Sequence, residues 1–183
     1  MALLQRLSDW ITDFMPRKRI DRFLDEAFRN FSQWLKDHAE WRGKESECVN
    51  LFAHKFLFEK IEPGAAIESA TQVCIEVALK QPKRYKRRAS NKDLVIWSEP
   101  LQTTWSATWE PIHSPKAVIE WKVYRQRLPR RIFDRHDEEW IEAYTQEQVG
   151  SFGYVVSVDL TSDEPVVYWK QAKRGVFSKL RCV

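Results

Sequence analysis

The chain has 183 residues, 43% of them hydrophobic, with nine Trp and ten Phe, enough apolar mass to bury a core without a disulfide or structural metal and too much for a disordered segment. The net charge of +4 says little about partners by itself. There is no uncharged apolar run long enough for a membrane span and no signal-peptide pattern, and Cys48, Cys74 and Cys182 have neither CxxC nor metal-ligand spacing. These features together predict a cytoplasmic protein kept in a reducing compartment, with no membrane partner.

Taken in chain order, residues 2–15 place Leu3, Leu4, Leu7, Trp10, Ile11 and Phe14 at helical spacing. Pro16 interrupts, and a second helix reads through Ile20, Phe23, Leu24, Ala27, Phe28, Phe31 and Leu35, with Gly43 as its stop. Residues 1–43 are therefore expected to form an N-terminal helical extension that packs on the remainder, with a homodimer through these helices as the alternative. The main domain is expected over residues 44–183. It opens with a third helix over 45–61, ended by Pro63 and Gly64.

From there the pattern turns to strands. Residues 71–80 alternate Val73, Ile75, Val77 and Leu79; 93–97 and 116–125 are short and β-rich. A helix over 134–148 sets Trp140, Ile141 and Tyr144 on one side, and strands follow at 152–160 and 165–170. A helix between two groups of strands implies a crossover, hence an α/β fold with a mixed sheet flanked by helices. The connection 99–115, with Trp105 and Trp109, is expected to carry a short hairpin or a lid.

The third strand carries the chemistry. Glu120 and Lys122 lie two apart among Val118, Ile119 and Val123, so they share a face of a strand whose neighbours are apolar. An acid and a base there cost free energy unless they pair or bind something. If the second and third strands pair, Asp93 approaches Glu120, and two converging carboxylates suit Mg²⁺ or Mn²⁺. Basic residues gather locally: seven and no acid lie between Val77 and Lys92, and Lys83, Arg84, Lys86, Arg87 and Arg88 are five of them. Arg125, Arg127, Arg130 and Arg131 follow the third strand, and the tail after Glu164 holds five more basic residues without an acid. Such blocks fit a phosphate-binding surface.

A helix with a Glu, a strand, a strand with Asp, a strand with Glu-x-Lys, then a helix and further strands resembles the PD-(D/E)XK nucleases. The pieces are Glu47 in ESECVNLF, Asp93 in NKDLVIW, and Glu120 and Lys122 in VIEWKVY. The resemblance spans about 45–170 and implies a restriction-endonuclease-like fold that hydrolyses phosphodiester bonds, with DNA the expected partner. It implies Asp93 and Glu120 as metal ligands beside the Trp121 carbonyl, Lys122 as the group acting on the attacking water, and Glu47 reaching the metal from its helix, although helix phase decides between Glu47 and Glu45. Two departures stand out: Lys92 replaces the family's proline, and 26 residues separate Asp93 from Glu120. His54 lies seven residues on from Glu47 on the same helix face and reads as a packing residue, whereas His113 and His136 have no partner at recognisable spacing. The alternative is a non-catalytic nucleic-acid-binding or assembly module on the same fold.

Overall fold

The computed structural model describes residues 19–183, so the helix expected over 2–15 lies outside the described residues. Three helices and a seven-stranded sheet make up the rest: α1 (Ile20–Asp37), α2 (Glu45–Leu51), β1 (Val73–Lys80), β2 (Ala89–Ile96), β3 (Ala117–Tyr124), α3 (Arg135–Glu147), β4 (Phe152–Asp159), β5 (Val166–Lys173), β6 (Val176–Phe177) and β7 (Arg181–Cys182). The helix expected over 45–61 is regular only to Leu51. It continues as a π-helical stretch, Phe52–Leu57, and a 3₁₀ turn, Phe58–Lys60. Among the described residues no helix is long and apolar enough to cross a membrane.

The strands run in the order β1-β2-β3-β4-β5-β6, with β7 also on β5. The β3–β4 pair is parallel and all other pairs are antiparallel, because α3 carries the chain across the sheet between them. The sheet is therefore mixed, as expected, and each face is covered by helix.

On one face, α1 buries Leu24, Ala27, Phe28, Phe31 and Leu35, spaced three and four apart. Phe28 stacks on Phe52 with centroids 5.0 Å apart, meets the edge of Trp121 at 6.1 Å and lies 5.6 Å from Trp169 of β5. Residues 20–37, read from sequence as part of an appended extension, thus share one core with the sheet. The helix ends at Asp37, not near Gly43, because the His38 amide closes back onto the Leu35 carbonyl.

On the other face, α3 packs Trp140, Ile141 and Tyr144 against Leu79, Val95, Val118 and Val155. Gly153 of β4 makes the approach close: a Cβ there would lie 2.4 Å from Ile141 Cγ2. By alternation along β3, Ile119 and Trp121 point to α1, whereas Val118, Glu120 and Lys122 point to α3. Asp93, expected to open the second strand, sits inside it, because β2 starts at Ala89.

Candidate functional site

The site grows from an interruption in the sheet. Pairing between β2 and β3 runs only through Leu94↔Ile119, Val95↔Val118 and Ile96↔Ala117. Beyond Leu94, β2 stays with β1 and β3 stays with β4, so the sheet forks. At the branch point the Asp93 side chain replaces a strand acceptor: its Oδ2 accepts from the Trp121 amide at 2.7 Å. Opposite Asp93 on β1, Glu76 takes φ +55°. Val73 and Ile75 before it face the first core, whereas Val77 and Leu79 after it face the second, so β1 turns over at this residue.

Into the fork project Glu120 and Lys122. Glu120 is 6% exposed, and the Lys92 ammonium donates to its Oε1. Lys92 is itself 3% exposed and lies 3.9 Å from the centroid of the Trp140 ring, a cation–π contact. Burial drives the Glu120 pKa up to about 8; the charges of Asp93 and Asp137 add to this and Lys92 opposes it.

Lys122 is half-buried between two carboxylates from different helices. Its Nζ lies 3.5 Å from Glu45 Oε2 at the start of α2 and 3.6 Å from Asp137 Oδ2 in the first turn of α3. Burial works against its charge, but Asp137, Glu45, Asp93 and Glu120 outweigh burial and raise its pKa. Lys122 is therefore a firmly charged ammonium, suited to holding an oxyanion or orienting water and poorly suited to removing a proton. Burial also raises Glu45, with Asp93 and Asp137 adding to it against Lys122; burial raises Asp137, with Asp134 and Asp93 adding to it.

The sequence-derived set is brought together in part. Asp93, Glu120 and Lys122 meet at the fork. Glu47 does not: it is exposed and its Oε2 accepts from the Lys44 amide at 2.6 Å, capping its own helix. The place expected for Glu47 is held by Glu45, two residues earlier and more than half a turn around the helix. Lys92 and Asp137 were missed from sequence. The Asp137 signal was legible afterwards, since the Asp134 carboxylate caps α3 by accepting from His136 and Asp137 amides and so fixes Asp137 in the first turn.

None of the four histidines reaches the fork: His38 stacks on Trp34, His54 lies on Phe58, His136 on Tyr85, and His113 Nδ1 is 3.0 Å from the Thr103 carbonyl. The nine basic residues expected at phosphate are all exposed. Arg131 pairs with Glu138, Arg88 with Glu110 at 3.6 Å, and Arg84 lies over the Tyr85 ring.

Among the described residues no three His, Cys, Asp or Glu side chains converge as a ready-made metal cage. The donor chemistry nonetheless fits a cation that takes few carboxylates. Four carboxylates (Glu45, Asp93, Glu120, Asp137) face two ammoniums (Lys92, Lys122), an excess of two negative charges when all are ionised. Hydrogen bonds from described residues engage Asp93 only at Oδ2 and Glu120 only at Oε1, leaving one oxygen on each for a hard cation that completes its shell with water.

No protein-family model, curated protein or solved structure matches this chain.

Proposed function

We propose that the chain is a metal-dependent nuclease with a restriction-endonuclease-like fold of the PD-(D/E)XK type, hydrolysing phosphodiester bonds of nucleic acid, DNA in the first instance. The observation that carries this reading is the forked sheet, with Asp93 and Glu120 at the branch, Lys122 beside them and more carboxylate than ammonium around all three.

A divalent ion, Mg²⁺ or Mn²⁺, would be held by Asp93 and Glu120 with help from Glu45, and would supply Lewis acidity at the scissile phosphate. The chain's own residues do the remainder. Lys122, held charged by Glu45 and Asp137, orients the attacking water and stabilises the phosphoryl oxygens. Lys92 fixes the Glu120 carboxyl in the fork, and the Trp121 amide fixes Asp93. Lys83, Arg84, Lys86, Arg87 and Arg88 on the β1–β2 hairpin, with Arg125, Arg127, Arg130 and Arg131 between β3 and α3, are the exposed cations that contact the nucleic-acid backbone. Binding through them falls steeply with added salt.

One observation favours a second reading, a non-catalytic nucleic-acid-binding module: Lys92 already neutralises Glu120. Incubation with plasmid and single-stranded DNA in Mg²⁺ or Mn²⁺, beside Glu120→Ala and Lys122→Ala, separates the two. Metal-dependent cutting lost in both variants supports the nuclease. Absence of cutting with DNA binding unchanged across all three proteins leaves the binding module.

A further inference from the structure

We propose that the 99–115 connection and the β1–β2 hairpin beside it form a binding arm for nucleic acid with unpaired bases, with Trp109 as the platform on which a base stacks. The proposal rests on the nucleic-acid reading above and names the substrate class.

The tip of the connection is a built turn. Trp105 bridges Pro111, the Ser106 amide donates to the Glu110 carbonyl at 2.8 Å, and the Trp109 amide donates to the Ser106 carbonyl at 3.0 Å. The Ser106 hydroxyl accepts from the Thr108 and Glu110 amides at 3.2 and 3.1 Å. This tight closure sets Trp109 at φ +61°, the left-handed region that glycine occupies without steric cost. The residue there is nevertheless a tryptophan, and it is 67% exposed. Trp105 shows the contrast: its indole donates to the Ala78 carbonyl at 2.8 Å and anchors the turn to β1. Trp109 thus bears a backbone cost without a packing return, a combination expected of a residue kept for contact with something else.

Charge identifies the partner. Arg88 binds the turn three ways: its guanidinium lies 5.2 Å from the Trp105 ring centroid, pairs with Glu110 and donates to the Trp109 carbonyl. Arg88 ends the exposed basic run of the hairpin, and Tyr85 in the same run meets His136 at 5.7 Å, one residue from Asp137 of the fork. The arm therefore joins an exposed aromatic face to a line of positive charge leading to the site. A polyanion carrying planar apolar groups matches both features. Duplex hides the base faces within its stack, whereas a single strand or a flap presents them.

The test is binding in EDTA, so that cutting plays no part. Fluorescence anisotropy compares a single-stranded oligonucleotide with a blunt duplex of the same sequence for the parent, Trp109→Ala and Trp109→Phe, each with its thermal melt. The expected result is a loss of about 5- to 150-fold on the single strand for W109A, the range one base stack supplies. Duplex binding and the melt stay unchanged, and W109F recovers most of the loss. Equal loss on both DNAs, no loss on either, or binding of parent protein to phosphatidylserine vesicles in place of DNA would overturn the proposal. A chain that fails to cut in Mg²⁺ yet shows the W109A effect loses the nuclease reading and keeps this one.

Discussion

Replacing Lys92 with methionine removes one charge from the buried pair while keeping most of the side-chain volume. In the parent, Glu120 has a folded pKa of about 8 against an ordinary 4.5. A carboxyl raised in the folded state stabilises the fold fully below its unfolded pKa and loses that contribution as pH rises through the folded one. At pH 6 Glu120 is therefore largely protonated, and Lys92→Met removes a charge-assisted hydrogen bond and the Trp140 contact, together about 2–3 kcal/mol. At pH 9 the parent carries an ionised pair, and the variant must either bury a lone carboxylate or hold the proton against the solvent. The cost then rises to about 3–5 kcal/mol. Urea denaturation at pH 6, 7.5 and 9, with Glu120→Gln and the double variant closing a mutant cycle, measures the pair directly. A penalty that is the same at all three pH values, or below about 0.5 kcal/mol, would refute the claim that Lys92 serves Glu120.

Three further outcomes follow from the same geometry. Glu47→Ala removes a cap and should cost about 0.5–2 kcal/mol in thermal or urea melts while leaving Mn²⁺ affinity by calorimetry unchanged; Glu45→Gln should weaken Mn²⁺ with little effect on stability. Phe28→Ala should cost about 3–5 kcal/mol in a single transition seen by both far-UV and tryptophan signals, because α1 and the sheet share a core; two separate transitions would refute the shared core. Glu76→Gly should stabilise the fold by about 1 kcal/mol in the same melts, since the exposed Glu76 sits at φ +55° without gain; destabilisation would mean that its side chain supports the fork.

Much of this arrangement was legible in sequence, and the reason is periodicity. Glu120 and Lys122 announce themselves because a strand repeats every two residues, and polar groups on that repeat among Val118, Ile119 and Val123 are conspicuous. The crossover was legible because a helical period separates β3 from β4. Lys92 was not legible: it precedes an apolar strand and reads as part of a solvated basic run until the turnover at Glu76 and Asp93 directs it inward against Trp140. The choice of Glu45 over Glu47 was equally hidden, since it depends on where the helix starts, and a shift of one residue rotates the carboxylates by about 100°. The place of α1 in the core was available only as an amphipathic stripe, which does not say what it packs against.

The parallel β3–β4 pair also sets an order of events. Glu120 and Lys122 gain their fixed positions only when β4, more than thirty residues later in the chain, closes against β3 through the α3 crossover. Closing so long a loop carries an entropic penalty before any contact rewards it, and parallel pairing of this kind is slow to form. During synthesis the chain therefore presents Asp93 and Glu120 well before it can hold them together, and the fork takes its shape only once the last third of the protein has folded.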